Sequence, residues 1–461
     1  MNLINSSTIE RVLTAALENG GDFAELFIED RVNSSINLID NKIEQNLSGR
    51  DYGVGIRIIS GFNTVYAYTN DDDEANLISI ARKASVSLNK SNIDLVLNFD
   101  KPNTRIINPI KVYPRDVDVN RKIELMKKGY DVAKNYDDSI SQVQVGYLDW
   151  DQKVRIANTE GLYVEDRRVR TRYSISSVAA HNGEYQTGSV RPGASMGFEF
   201  YDNLDIDALG KEASQIAVTM SKAKYAPSGS LPVIMDNAFG GVLFHEACGH
   251  GLEASFVSKG TSVYTGLLGQ KIASDCVTAI DDGTIENEWG SLAYDDEGTP
   301  TQRNVLIENG ILKSYLVDRV NGARMNMPST GSCRRESYRY KPTSRMTNTF
   351  IDSGNNTREE MFAGVEKGLY AKKLGGGSVN ITTGEFNFAV MEGYLIENGK
   401  ITEPVRGASL IGSGREVLEK IDMVGSDLSL AEGMCGAASG SIPAGVGQPP
   451  VRIKELTVGG R

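Results

Sequence analysis

The segments "VLIENGILKSYLV" at residues 305–317 and "YLIENGKITEPV" at residues 394–405 both place Leu-Ile-Glu-Asn-Gly between alternating apolar residues. Asn-Gly in this setting is the strongest local hairpin signal, because a type I′ turn requires positive φ at both central residues. Further strands are expected at 231–235 and 378–391. The second half of the chain is therefore predicted to form a mostly antiparallel sheet.

The first half reads as strands grouped between helices. Period-2 alternation predicts strands, and 3.6-residue spacing predicts helices. The predicted strands are 23–30, 36–47, 54–69, 142–150, 154–180 and 193–202, and the predicted helices are 7–19, 70–88, 116–134 and 205–222, the first with a capping box from Ser7 to Glu10. The order of strands and then a helix occurs twice, which indicates a diverged internal repeat.

Because helices and strands are grouped rather than strictly alternating, the fold class predicted is α+β. The Pro- and Gly-containing stretch "KAKYAPSGSLP" at 222–232 is interpreted as a linker. Two domains are expected, an N-terminal sheet-and-helix domain at 1–225 and a C-terminal, mostly antiparallel β domain at 226–461 that carries one notable helix.

Composition excludes several classes of partner. The chain has 461 residues and a net charge of -11, which argues against a nucleic-acid partner, since phosphate binding needs a basic surface. The sequence lacks both an export signal and an apolar run long enough to span a bilayer, so no membrane partner is expected. Four scattered cysteines do not suggest a disulfide framework, and a cytoplasmic location is expected.

The notable helix carries "GVLFHEACGHGLEA" at 241–254, which holds two of the only three histidines, His245 and His250, with Glu246 between them. Two imidazoles and a carboxylate suggest a metal, but the spacing is one residue longer than in the H-E-x-x-H zinc helix. On a regular helix, residues five apart differ in direction by about 140°. A single-turn π-bulge restores a common face, and the flanking glycines make that distortion inexpensive. The helix is expected to begin near Asp236 or Asn237.

The residues alone leave the third metal ligand open among Glu253, His181 and the four cysteines. Glu253 could equally orient an imidazole. Cys276 is interpreted as a small core residue. The charges beside Cys333 would favour a thiolate, with an incidental loop thiol as the equal alternative. Cys248 would compete with the histidines for geometry. Cys435 differs, because it lies in a run of small residues, "GMCGAASGSIPAGVGQPP", that can wind tightly around a buried point.

Two charged stretches receive non-catalytic interpretations. "EDRRVRTR" at 165–172 is interpreted as the solvated face of a strand, with contact to an acidic partner as the alternative. "DDGT" at 281–284 and "DDEGT" at 295–299 lack the regular alternation of a calcium loop and are expected to be acidic turns.

Several motifs occur in one order: "HEACGHGLEA", "DDEGTPTQRNVLIENG", "RMTNTF", "GGGSVNITTGEFNF", "YLIENGKITEPVRGASLIGSG" and "MCGAASGSIPAGVGQPPVRIKELTVGG". Together they resemble the TldD/PmbA family of metallopeptidases, in its type of subunit that bears the zinc motif. The resemblance implies Zn²⁺ held by His245, His250 and Cys435, with Glu246 as the catalytic base. It also implies a subunit that forms a homodimer or a heterodimer with a motif-less paralogue.

These inferences predict a zinc-dependent peptidase that acts on peptides or unfolded protein segments. One alternative is a zinc amidohydrolase acting on small amides. The other is a non-catalytic, zinc-stabilised subunit that binds peptides or a partner. Structural zinc sites usually close with four protein ligands, whereas three ligands and a retained glutamate favour an open, catalytic site.

Overall fold

The computed structural model describes residues 4–86 and 97–460. In the first half it shows an eight-stranded sheet with the order β3-β2-β1-β5-β6-β4, in which β7 and β8 also pair with β6. Its strands are β1 (Phe23–Ile39), β2 (Lys42–Ser60), β3 (Asn63–Thr69), β4 (Asn103–Thr104), β5 (Ile140–Asn158), β6 (Tyr163–His181), β7 (Glu184–Val190) and β8 (Gly193–Ala194).

Four helices cover this sheet in two pairs. They are α1 (Ser6–Leu17), α2 (Glu74–Val86), α3 (Val119–Lys134) and α4 (Ile206–Lys222). The first pair encloses one apolar cluster with β1 and β2, and the second pair encloses another with β5 and β6. The order of helix, two long strands, a seven-residue strand and helix thus occurs twice, with β1 and β5 antiparallel at the centre, which is the internal repeat that the sequence indicated.

The second half contains two large sheets, one of eight strands and one of six. The eight-stranded sheet consists of β9 (Lys224–Tyr225), β10 (Gly229–Met235), β17 (Lys367–Val379), β18 (Glu385–Glu397), β19 (Lys400–Arg406), β20 (Ser409–Ser413), β21 (Ile421–Val424) and β24 (Val451–Gly459). The six-stranded sheet has the order β13-β12-β11-β16-β23-β22, from β11 (Ala279–Asp282), β12 (Arg303–Glu308), β13 (Ile311–Leu312), β16 (Asn348–Ile351), β22 (Ser429–Ala437) and β23 (Gly440–Gln448).

The remaining elements of this half are short. They are α5 (Val242–Phe244), α6 (Ala254–Val257), α7 (Arg319–Met325), α8 (Arg358–Ala363), α9 (Gly414–Lys420) and the two-stranded ladder of β14 (Cys333–Arg334) and β15 (Thr343–Ser344). One apolar core lies between the two large sheets and includes the apolar side of the histidine-bearing segment. The α+β fold class is confirmed, while the domain boundary at 225/226 stays a prediction. None of the helices in the described parts of the chain is long and apolar enough to span a bilayer.

Both Asn-Gly hairpins are confirmed. Asn309 and Gly310 have φ of 48° and 80° and join β12 to β13. Asn398 and Gly399 have φ of 49° and 75° and join β18 to β19. Positive φ at both central positions is the requirement that selects Asn-Gly for a type I′ turn.

The capping box predicted for the first helix is wrong. Asn5 caps the helix instead, since its side chain accepts the N–H of Thr8 at 2.8 Å. The carboxylate of Glu10 accepts the backbone N–H of Phe99 at 3.0 Å and does not return to the helix start. A strong capping residue directly before the helix has displaced the pattern that begins at Ser7.

Several predicted segments differ from the structure. The strands expected at 36–47 and 154–180 each contain a connection between two strands, at residues 40–41 and 159–162. The strand expected at 378–391 is interrupted by the turn at residues 380–384, with Gly384 at φ 76°, so that its start ends β17 and residues 385–391 lie in β18. The strand expected at 193–202 is β8 followed by a 3-10 turn, because the carboxylate of Glu199 accepts nearby backbone N–H groups. The linker expected at 222–232 includes β9 and the start of β10, because residues 224–225 pair with β19. The end of the helix expected at 70–88 lies outside the described residues.

Buried ion pairs join the two halves of the chain. Arg57 on β2 contacts Glu25 at 2.8 Å and Glu297 at 2.7 Å. Arg335 contacts Glu25 at 2.6 Å. All four side chains are buried, and each charge has a partner of opposite sign, as buried charges require.

The interpretation of 165–172 as a solvated face is wrong. Arg168 contacts Asp296 at 2.6 Å, and Arg170 donates to the backbone oxygens of Trp289 and Ser291. This face of β6 therefore lies against the second half of the chain. The run at 295–299 does form an acidic turn, but its carboxylates are buried at this contact.

Candidate metal centre

The histidine-bearing segment changes helix type three times within fifteen residues, from 3-10 (Ala238–Gly241) to α5, to a π turn (His245–Gly249) and to 3-10 again (His250–Leu252). The backbone N–H of His250 donates to the carbonyl oxygen of His245, five residues earlier. The predicted π-bulge is confirmed, and it brings both imidazoles to one side of the segment.

The segment begins where it was expected, directly after Asn237, but neither the side chain of Asp236 nor that of Asn237 caps it. Asn237 holds the N-cap position, but its side chain makes no capping hydrogen bond. Its amide instead donates to the carboxylate of Asp427 at 3.0 Å. The Asp236 carboxylate accepts the N–H of Asn237 itself at 2.9 Å, and Tyr370 donates to its other oxygen.

The glycines beside His250 serve close packing rather than unusual backbone angles. Gly249 has φ of -52°, an ordinary helical value. A Cβ atom there would lie 2.2 Å from Sδ of Met346, and one at Gly251 would lie 2.7 Å from the ring of Tyr264. The π turn can therefore press against its neighbours only because these side chains are absent.

His245, His250 and Cys435 form a compact set of metal donors. The Nε2 atoms of His245 and His250 lie 3.2 and 3.3 Å from Sγ of Cys435. The three donor atoms lie within 4.8 Å of one another. Nitrogen and sulfur ligands on a tetrahedral zinc are separated by roughly 3.5 Å, so the arrangement fits that ion.

The electrostatics of the cluster also fit a metal cation. Burial would raise the pKa of Cys435, but His245 and His250 outweigh it and hold that pKa well below its usual range. Burial would lower the pKa of His250, but Glu253 and Cys435 outweigh it and raise that pKa. A thiolate facing two imidazoles is the donor set that zinc prefers.

Glu253 supports the cluster from behind. Its Oε1 lies 3.0 Å from Nδ1 of His250 and 3.8 Å from Nε of Arg345, and its side chain is 1% exposed. The contact leaves Nε2 of His250 facing Cys435. Of the two roles that the sequence left open for Glu253, the geometry favours orienting the imidazole.

Glu246 stands beside the cluster. Its Oε2 lies 3.6 Å from Nε2 of His250, and its side chain is 25% exposed against 6% for that histidine. It is not one of the three clustered donors. A carboxylate at the accessible side of a metal site is placed to exchange protons with a water molecule.

Arg345 holds the hairpin of β22 and β23 that presents Cys435. Its guanidinium donates to the backbone oxygens of Cys435 and Gly440 and to Oγ of Ser439. The side chain is fully buried. No local pattern singles out Arg345, which begins the motif "RMTNTF".

Two other proposed ligands lie outside the cluster. His181 lies at the exposed end of β6 and contacts the side chain of Asn182. Cys248 is buried within the π turn, but its thiol faces the backbone oxygen of Gly414 at 3.6 Å. Burial raises its pKa to about 12.

The core interpretation of Cys276 and the thiolate interpretation of Cys333 are wrong. Cys276 is exposed in a turn, so it is not a core residue. Cys333 is buried, and burial together with Glu297 and Asp318 raises its pKa well above the usual value. The neighbouring arginines do not favour a thiolate there, because their guanidinium groups are bound elsewhere.

Three models of one family match successive parts of the chain. They are PmbA/TldA metallopeptidase domain 1 at residues 24–87, the central domain at 112–221 and the C-terminal domain at 228–460.

Relatives match over nearly the full length. A metalloprotease TldD homolog from Buchnera aphidicola is 38% identical over 100% of this chain and 97% of its own. A zinc metalloprotease TldD homolog from Saccharolobus solfataricus is 28% identical over 98% of this chain and 99% of its own. The crystal structure of TldE from Thermococcus kodakarensis has a TM-score of 0.78 at 19% identity, covering 98% of this chain and 99% of that chain, and shows the shared fold.

Proposed function

The chain belongs to the PmbA/TldD family of metallopeptidases, and from this premise we propose that it is a zinc-dependent peptidase acting on peptides or unfolded protein segments. One observation carries the proposal. Two imidazoles and a thiolate converge within 4.8 Å, with the carboxylate of Glu246 at their accessible side.

In this proposal His245, His250 and Cys435 hold Zn²⁺ through Nε2, Nε2 and Sγ. Zinc supplies Lewis-acid activation of a water molecule and of the scissile carbonyl. Glu246 accepts the proton of the attacking water at its carboxylate and donates it to the leaving amine. Its position beside His250, without direct membership of the donor set, suits a base that must stay free to exchange protons.

Glu253 and Arg345 set the geometry in which these groups act. The carboxylate of Glu253 accepts a hydrogen bond from Nδ1–H of His250. This hydrogen bond fixes the tautomer that leaves Nε2 free as a ligand. Arg345 fixes the backbone at Cys435 and at the hairpin tip. Both side chains are buried, so packing fixes their positions and the donors are already held in the geometry that they need.

Three donors leave one position of a tetrahedral zinc open, which favours catalysis over a purely structural site. Glu253 does not fill that position, because it is engaged with His250 and Arg345. A small-amide hydrolase would use the same groups, so comparison of peptides with small amides as substrates separates the two activities.

Substrates are proposed to bind in extended form. Cys435 lies on β22, which is the edge strand of the six-stranded sheet. An edge strand can pair with an extended peptide through the backbone groups that it leaves unbound. On β22 the oxygens of Glu432, Gly433 and Cys435 already accept hydrogen bonds from side chains, so pairing would use its other backbone groups. Such binding imposes little side-chain preference and requires several consecutive unpaired residues in the substrate.

A test of the proposed activity is removal and return of the metal. Dialysis against a zinc chelator should abolish hydrolysis of unstructured peptides, and stoichiometric Zn²⁺ should restore it while Mg²⁺ should not, because thiolate and imidazole ligands disfavour Mg²⁺. Full activity in protein shown to be metal-free would refute the zinc-dependent mechanism.

The protein is further proposed to act as a dimer, with itself or with a motif-less paralogue. Its full-length structural likeness to TldE supports association between related chains, since such chains can form pseudo-symmetric pairs. The molar mass of the purified chain, measured alone and mixed with the paralogue, tests this. A monomer that retains full activity would contradict it.

A further inference from the structure

A cavity of about 210 Å³ lies beside the hairpin that presents Cys435. Its wall includes Met434, the residue before Cys435, and Ile442, the cross-strand partner of Cys435. Met434 is 50% exposed, so solvent reaches this side of the hairpin. Successive strand residues point to opposite faces, so Met434 lines the cavity on the face of β22 opposite to the buried Cys435.

The lining of this cavity is strongly basic. It contains two carboxylates, Asp296 and Glu336, against six guanidinium groups, those of Arg31, Arg168, Arg170, Arg172, Arg334 and Arg335. Arg168, Arg170 and Arg172 lie on one face of β6, in the basic stretch at 165–172. The cavity joins that face to the second half of the chain.

Two of the six arginines are neutralised by acidic partners. Arg168 pairs with Asp166 at 2.9 Å and with Asp296 at 2.6 Å. Arg335 pairs with Glu25 at 2.6 Å. Both oxygens of Asp296 are therefore occupied, one by the guanidinium of Arg168 and the other by the backbone N–H of Arg335.

The other four arginines make their hydrogen bonds, within the described residues, to neutral oxygens. Arg170 and Arg334 are 2% and 4% exposed and donate to backbone carbonyls. Arg172 also donates to backbone oxygens, and Arg31 donates to the side chain of Asn33. Glu336 is the remaining carboxylate of the lining, and it acts on Arg31, so the lining still holds more guanidinium groups than carboxylates. Buried cations are normally paired with an anion.

The pKa values of the two buried arginines, Arg170 and Arg334, are both lowered. Burial, with Arg334 and Arg168, holds the pKa of Arg170 well below its usual range. Burial also lowers the pKa of Arg334 to about 10. An anion in the cavity would raise both pKa values, because it would stabilise the charged guanidinium groups.

We propose that this arginine cavity binds a carboxylate of the peptide substrate, at a subsite on the other face of the hairpin that presents Cys435. The inference rests on the proposed peptidase function for its choice of anion, because carboxylates are the anionic groups of an unmodified peptide. Planar guanidinium groups bind carboxylates in a bidentate manner. The volume admits one acidic side chain or a chain terminus with a few waters, each water taking about 30 Å³.

Binding is measured with the Glu246→Gln protein, so that the result does not depend on cleavage. Fluorescent, otherwise neutral peptides carry one carboxylate, either a free C-terminus against its amide or one Glu against Gln at each position in turn. We expect the best carboxylate peptide to bind about 10-fold tighter than its neutral counterpart, the scale of one charge-assisted contact.

Arg31→Gln and Arg172→Gln, each added to Glu246→Gln, should reduce this preference to within about 2-fold. Both side chains are only partly buried, and melting temperatures show whether the variants fold. Arg82→Gln is the matched control, since it removes the same charge at an exposed ion pair with Glu18 far from the cavity and should leave the preference intact.

Equal affinity for charged and neutral peptides, no peptide binding at all, or a preference that survives in both cavity variants would overturn the inference. Cleavage of peptides by the wild-type protein without any carboxylate preference would defeat the inference and leave the peptidase function standing. If peptides bound in a carboxylate-dependent manner but the wild-type protein cleaved none of them, the cavity inference would stand and the proposed peptidase function would fail.

Discussion

The Nδ1 atom of His250 lies 3.0 Å from Oε1 of Glu253, at a site where the glutamate side chain is 1% exposed. This contact fixes the imidazole so that Nε2 faces Sγ of Cys435 at 3.3 Å. A buried carboxylate that raises the basicity of a ligand imidazole strengthens metal binding. His250 thus connects Glu253 with Cys435, two of the six residues that the sequence left open as the third ligand.

Glu253→Gln should weaken zinc binding by about 10-fold or more, because the amide keeps the shape but loses the charge that orients His250. Competition with a chromogenic chelator measures the affinity. Glu308→Gln is the control, since that side chain is 52% exposed and pairs with Lys313. Equal zinc affinity in wild type and Glu253→Gln would remove the orienting role.

Cys435→Ser should lose most of the bound zinc, as should His245→Ala and His250→Ala, because two remaining donors bind the ion far more weakly than three. Elemental analysis of the purified variants measures the content. Cys276→Ser makes the same substitution at an exposed cysteine and should keep full zinc. A full zinc content in Cys435→Ser would show that Cys435 is not a zinc ligand and would make Glu253 the next candidate for the third ligand.

Arg57→Ala should destabilise the fold by about 3–5 kcal/mol, since it leaves Glu25 and Glu297 charged and buried at the contact between the halves. Arg11→Ala removes a surface ion pair with Glu74 and should cost about 1 kcal/mol or less. Urea denaturation compares the two. Similar midpoints for both variants would show that the buried pairs do not hold the halves together.

Compact folded proteins should be spared, because an extended substrate must present several unpaired residues and a folded core must first open locally. The test uses one small domain in two states, held folded by a tight ligand and destabilised by mutation. The destabilised form should be cleaved much faster. Equal rates would point to recognition of a folded surface.

Local patterns predicted the parts of this structure that are stabilised locally. Asn309-Gly310 and Asn398-Gly399 turn as type I′ hairpins because their φ preferences are a property of two residues. The π turn at His245–Gly249 was predictable for a similar reason, since the five-residue spacing of two histidines has few solutions on a helix.

The composition of the site beyond the helix could not be derived in the same way. Cys435 lies 190 residues from His245 in the chain, and the residues alone left it among several candidates, so only the family resemblance selected it. Arg345 depends on the same distant hairpin. Contacts of this kind are set by sheet topology, which a local pattern does not encode.

The basic stretch at 165–172 shows the same limit. Its alternation places Arg168 and Arg170 on one face of β6, but the pattern cannot say whether that face meets water or another part of the chain. In the structure it meets the turn that contains Asp296, so the residues expected to be solvated are buried.

The most direct test of the account is the turnover of Glu246→Gln on an unstructured peptide, measured together with its zinc content. The account predicts one zinc per chain, an unchanged melting temperature and a loss of kcat of about 100-fold or more, the scale of general acid–base catalysis. Hydrolysis at the wild-type rate by zinc-loaded, purified Glu246→Gln would contradict it.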